Sequence, residues 1–164
     1  MRIDSHQHFW NYHPVKDAWI SDNMKEIQQD FMPADLLPLL QQNDIDGCIA
    51  VQADQSKEET HFLLQLAQDN DFIKGVVGWV DFRSNKIEER LQYFSQFEKL
   101  KGFRHIVQGE PEDDFLLRDD FCNGIAQVET AIPALYSDFT FVNGLWLNDP
   151  FKEIVFSLYK AKNT

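Results

Sequence analysis

Cysteine is scarce in this 164-residue chain, which carries only Cys48 and Cys122. The two stand far apart in apolar surroundings and neither belongs to a Cys-x-x-Cys pair. That excludes a cysteine-built zinc or dithiol motif and leaves two buried free thiols as the expectation. Basic residues are few as well: 15 Lys and Arg face 27 Asp and Glu, a formal net charge of -12. No local Lys/Arg cluster stands against that excess, so a phosphate backbone would be repelled and nucleic acid is not an expected partner. No run of about 20 apolar residues could span a bilayer, and the opening Met1-Arg2-Ile3-Asp4-Ser5-His6 is too polar for a signal peptide. A cytoplasmic location without a membrane partner is the expectation. What the chain does have is apolar and aromatic residues, 43% and 13%, which suffices for one packed domain but not for two of ordinary size.

Periodicity organises that apolar content. Arg2 to His6 reads as a short opening strand, followed by an irregular aromatic stretch from Phe9 to Trp19 with turn signals at Asn11 and Pro14. Asp35 between Pro33 and the leucines 36, 37, 39 and 40 predicts a helix with an acidic first turn, despite the awkward Pro38. Cys48 to Gln52 reads as a buried strand, and the apolar face Phe62, Leu63, Leu66 and Ala67 predicts a helix over 57–69. Val76 to Val80 is a third strand. Ile87, Leu91, Phe94 and Phe97 give a further amphipathic helix, and Gly102 to Val107 a fourth strand. Strands alternating with helices at a spacing of roughly 30 residues imply an α/β fold with a parallel sheet and right-handed crossovers, either an open sheet or part of a barrel.

Both architectures place their sites at the carboxyl ends of the strands. There stand His6 and His8, then Gln52 and Asp54, then Asp81, then Arg104, His105 and Gln108. His6 and His8 are i and i+2 at a strand end, so their imidazoles point the same way and can serve one ion. Two imidazoles alone make a weak site, and a catalytic zinc usually has three protein ligands and an open position, so a further donor must come from elsewhere. At Arg104 a guanidinium can grip a substrate carboxylate or hydroxyl, and at His105 an imidazole can donate to a developing oxyanion. The bland alternative buries one of the two against the helices. Gln52, Trp10 and Gln108 are candidates for substrate contact, since aromatic faces stack on sugar rings. Gln108 and Glu110 also read as a solvated turn before Pro111, and the acidic run Glu110 to Asp114 as a solvated loop. Trp79 reads as core, His13 as a loop residue and His61 as a helix-surface residue.

Taken together, Ile3-Asp4-Ser5-His6-Gln7-His8-Phe9-Trp10, Gln52-Ala53, Gly75-Val76-Val77-Gly78-Trp79-Val80-Asp81 and Gly102-Phe103-Arg104-His105-Ile106-Val107-Gln108 resemble the amidohydrolase superfamily. Within it they are similar to the branch related to sugar-acid lactonases, over roughly residues 1 to 125. The resemblance implies a (β/α)8 TIM barrel and a metal or substrate site that includes His6 and His8. The implied cofactor is a divalent metal such as zinc, although some relatives work without one. It also implies an eighth-strand aspartate as proton acceptor and small-molecule substrates such as lactones of fucose and rhamnose, opened by water. Other relatives decarboxylate aromatic acids.

A complete barrel needs about 250 residues. Four β/α units end here near residue 125, so the expectation is the first half of a barrel over 1–125 and a divergent tail over 126–164, non-native or out of frame. In that tail Thr140-Phe141-Val142 and Ile154-Val155-Phe156 give at most a strand and a short helix before Lys160 and Lys162. A half-barrel exposes strand edges and interior residues, which predicts self-association or a partner that completes the sheet. Three readings stand side by side: a metal-assisted lactone hydrolase impaired by the missing half, a non-catalytic fragment, and an α/β module that binds small ligands without chemistry.

Overall fold

Four strands run parallel in the order β1-β2-β3-β4 in a computed structural model of the chain, which describes residues 1–131, 140–142 and 145–147. They are β1 (Ile3–Gln7), β2 (Gly47–Val51), β3 (Ile73–Gly78) and β4 (Leu100–Phe103), and helices α1 (Pro33–Gln42), α2 (Lys57–Asp69), α3 (Ile87–Phe94) and α4 (Asp119–Ala131) follow them in turn. A doubly wound sheet reverses its strand order at a switch point. Here each new strand is added beside the last, which is the progression of a (β/α)8 barrel, and the sheet is half of one. Two further strands, β5 (Thr140–Val142) and β6 (Leu145–Leu147), pair antiparallel in a sheet of their own. The expected strand at Thr140 is therefore present. Ile154 to Phe156, Lys160 and Lys162 lie outside the described residues. α4 runs through the expected boundary at residue 125 without a break.

Local sequence explains the helices. Ser56 caps α2, its Oγ accepting from the Glu59 N–H at 3.2 Å, and the helix buries Leu63, Leu64 and Ala67. Asp35 closes the first turn of α1 by accepting from the Met32 N–H at 2.9 Å. Pro38 stays inside that helix without ending it, at the expense of the single hydrogen bond its missing N–H would have made. α1 ends in a Schellman turn: Asp44 takes a left-handed φ of 53°, and the Ile45 N–H reaches the Leu40 carbonyl at 2.9 Å.

The main core lies between one face of the sheet and the helices, with Phe9, Leu63, Ile73, Leu91, Phe115 and Phe121 fully buried. Gly124 lets α4 close on the chain after β3, where a Cβ would come within 1.9 Å of the Phe82 carbonyl oxygen. Two strands begin earlier than their apolar runs suggest. β3 starts at Ile73 and β4 at Leu100, because Lys74 and Lys101 alternate with buried neighbours and hide the period from a reading that looks for continuous apolar runs. β4 accordingly ends at Phe103, so Arg104 and His105 stand just beyond the strand. Cys48 is buried as expected, and burial pushes its thiol up to about 12. Cys122 departs from expectation. It is only half-buried, with its Sγ donating to the Leu116 carbonyl at 3.2 Å, because it lies toward the edge of α4 beside the short turn Phe115–Leu117. Among the described residues no helix is long and apolar enough to cross a membrane.

Candidate functional site

The carboxyl ends of β1, β2 and β4 bring three of the expected groups together. His6 is the penultimate residue of β1 and His8 stands just beyond its end, and their Nε2 atoms are 3.2 Å apart with the rings at 77°. The His8 Nδ1 lies 2.9 Å from the Val51 carbonyl. A carbonyl only accepts, so Nδ1 carries the proton and the Nε2 lone pair of His8 faces His6. Burial is the main cause that lowers both imidazole pKa values, with the neighbouring His8 adding to the effect on His6 and the Arg104 guanidinium to that on both. Both shifts favour the neutral form, the state a ligand needs. Two nitrogens bound at 2.0–2.1 Å to one tetrahedral zinc are separated by about 3.3 Å, so the observed spacing fits two ligands of such an ion. The backbone bond to Val51 is the outer support that metal-binding imidazoles generally have. Among the described residues no group of three or more His, Cys, Asp or Glu is placed to hold a metal.

Arg104 and Gln52 are tied to each other. The Gln52 side-chain amide donates to the Arg104 carbonyl at 3.2 Å, and the Arg104 Nη1 donates to the Gln52 carbonyl at 3.4 Å. Arg104 is half-buried, and burial lowers its pKa. Among the described residues no carboxylate pairs with it. Gln52 is fully buried, and its Oε1 has no hydrogen-bond partner.

His105 has a different environment. It is 3% exposed, stacked on Phe115 with centroids 4.9 Å apart. Its Nδ1 accepts from the Trp79 indole N–H at 3.3 Å, and its Nε2 lies 2.6 Å from Glu110 Oε1. Since the indole can only donate, Nδ1 is the acceptor and Nε2–H donates to Glu110. Both ring nitrogens are thus engaged inside the protein. Glu110 is consequently no solvated-loop residue as the acidic run suggested: its side chain is 13% exposed, with Arg83 3.8 Å away. The remaining candidates stand apart. Trp10 packs on Phe31 at 4.6 Å in the loop after β1, with its indole Nε1 buried and unpartnered. Gln108 is exposed in the turn Val107–Gly109. His13 lies exposed in its loop and His61 on the surface of α2. Trp79 is half-buried.

Three residues that hold the site's loops were not foreseen. Glu59 is buried and accepts from the Ala53 N–H at 2.9 Å, clamping the loop after β2, and burial raises its carboxyl pKa. Gln55 accepts from the Ile106 N–H at 2.6 Å, joining that loop to the one after β4. Lys16 pairs with Asp54 at 3.2 Å, joining it to the loop after β1. The pattern Ser56-x-x-Glu59 is a capping-box signature that could have drawn attention to Glu59. Nothing comparable marks Gln55.

No family model matches the chain. It is 41% identical over 130 residues to an L-fucono-1,5-lactonase of Burkholderia multivorans, which covers 79% of this chain and 44% of that protein. The crystal structure of a Burkholderia multivorans amidohydrolase with bound HEPES superposes with a TM-score of 0.75 at 40% identity, over 80% of this chain and 46% of that one. A second form with bound zinc gives 0.77 at 29% identity, over 99% of this chain and 64% of that one. The chain thus spans less than half the length of the curated relatives it matches. Over the region it shares with these proteins, the chain is similar to amidohydrolases and, among them, to L-fucono-1,5-lactonases.

Proposed function

We propose that this chain carries the first half of a site that hydrolyses sugar-derived lactones, with His6 and His8 as the metal-holding pair. The observation that carries the reading is the convergence of two imidazole nitrogens 3.2 Å apart near a half-buried guanidinium that has no carboxylate partner among the described residues. A divalent ion such as zinc, when bound, lowers the pKa of its water and polarises the lactone carbonyl. The chain's own residues do the rest. The Arg104 guanidinium stabilises negative charge as water adds to the carbonyl and the ring C–O bond breaks to give the hydroxy acid. The free Gln52 Oε1 accepts from a sugar hydroxyl. Of the pair Arg104 and His105, Arg104 is the one that meets substrate. His105 would have to break its bond to Glu110 before donating elsewhere, so its part is to position the loop after β4. Trp10 and Gln108 act on substrate only if the loops that carry them close over it.

The proton acceptor expected on an eighth strand has no counterpart among the four parallel strands, so the half-barrel alone is impaired. Replacing the matching segment of the Burkholderia multivorans lactonase with residues 1–125 tests the reading. The chimera should open L-fucono-1,5-lactone, and Arg104→Gln should slow it on the order of a hundredfold or more. A folded chimera that is inactive, or indifferent to Arg104, contradicts it and favours the non-catalytic fragment.

A further inference from the structure

One face of the sheet joins the main core through Cys48, Ala50, Ile73, Val76, Leu100 and Phe103. The opposite face carries Ile49, Val51 and Val77, a small separate cluster, and two lysines. A Cβ on Gly47 would meet the Lys74 stem at 3.0 Å, and one on Gly75 would meet the Lys101 stem at 2.6 Å and Ile49 at 3.1 Å. Each lysine therefore lies across a glycine of the preceding strand, on the face that Ile49 shares. Register irregularities between Cys48 and Ile49 and between Val76 and Val77 accompany this arrangement. Val51 and Val77 are already buried on this face. Lys74 and Lys101 are exposed, and neither forms a hydrogen bond or ion pair among the described residues. Acidic residues outnumber basic ones 27 to 15, yet among the described residues none pairs with either lysine.

In a closed barrel this face is the interior, where side chains from alternate strands meet in packed layers. An ammonium enclosed there needs a carboxylate partner, because an unpaired buried charge is strongly unfavourable. From this juxtaposition we propose that the Lys74–Lys101 face is a docking surface for a β/α half-barrel segment that brings carboxylates to the level of the two lysines. A second copy of this chain does not satisfy it. Two copies closing β4 of one against β1 of the other would gather four ammonium groups at one level with no carboxylate from the described residues paired to them. β1 and β4 are the two edges of the sheet; β5 lies against β4, so β1 supplies the open backbone groups that such a segment would pair. The proposal rests on the half-barrel fold and is independent of the hydrolysis reading, since its test reads association alone.

A carboxylate-bearing partner can be made from the chain itself. Sedimentation of the wild type mixed with Lys74→Glu/Lys101→Glu should show a 1:1 pair at least about tenfold tighter than either self-pair, and raising the salt should narrow the difference. A wild-type self-pair as tight as the mixed pair, or no mixed pair between two folded chains, overturns the proposal. If circular dichroism shows the double glutamate variant unfolded, Lys74→Met/Lys101→Met serves instead. With the repulsion gone it should self-associate more tightly than the wild type, and equal or weaker association overturns the proposal.

Discussion

Thr60 holds the backbone just beyond β3 by itself, which makes Thr60→Val an informative perturbation. Its Oγ1 accepts from the Trp79 N–H at 2.7 Å and donates to the Trp79 carbonyl at 2.8 Å, and the side chain is fully buried. Valine keeps the shape and deletes both bonds, leaving a donor and an acceptor in an apolar setting. Each unsatisfied group costs about 1–3 kcal/mol, so the variant should lose about 3 kcal/mol in all. Thr60→Ser keeps the hydroxyl and deletes one methyl, for about 1 kcal/mol. With a urea m-value of about 2 kcal/mol/M, the midpoint should fall by about 1.5 M for valine and about 0.5 M for serine. The effect should also reach His105, since the Trp79 indole that donates to it is positioned by this backbone. Equal midpoints for valine and serine would refute the reasoning, because they would show that the methyl matters and the paired hydrogen bonds do not.

Two further outcomes follow from buried groups. Glu59 has its folded pKa raised by burial, so its contribution favours the fold below the ordinary glutamate value of 4.5 and is lost as the pH rises through the raised value. Glu59→Gln, which can still accept from the Ala53 N–H, should flatten the fall in stability that sets in above 4.5, as read from thermal melts across a pH series; an unchanged slope would contradict it. Cys48, with its thiol pushed up to about 12, should resist alkylation at pH 8 in the native protein and react once urea unfolds it. Native labelling of Cys48 seen by peptide mass spectrometry would be the opposite result.

Periodicity carried the fold well where burial is continuous and poorly where it is not. The helix over Lys57–Asp69 and the β/α order were legible because the apolar residues recur at helical or strand spacing. The starts of β3 and β4 were not, because a lysine interrupts each. That same interruption marks the face on which Lys74 and Lys101 lie. Parallel pairing alone left an open sheet and a barrel both possible; the consecutive strand order is a tertiary fact that no local pattern encodes. At the site, His6 and His8 were legible from their i and i+2 spacing at a strand end. The separation of Arg104 from His105 was not, because it depends on Trp79, Glu110 and Phe115, which reach His105 from three other places in the chain. Glu110 hid inside an acidic run, and its burial and its contacts with His105 and Arg83 distinguish it from Glu112 and Asp113.

The central claim is that His6 and His8 form one half of a metal site, and imidazole nitrogen NMR during a zinc titration of the folded chain tests it most directly. The Nε2 resonances of both should move together and saturate, that of His8 keeping its proton on Nδ1, while His105, with both nitrogens engaged by Trp79 and Glu110, should stay in place. Zinc that leaves His6 and His8 unmoved, or that binds equally well to a His6→Ala/His8→Ala variant, would contradict the account.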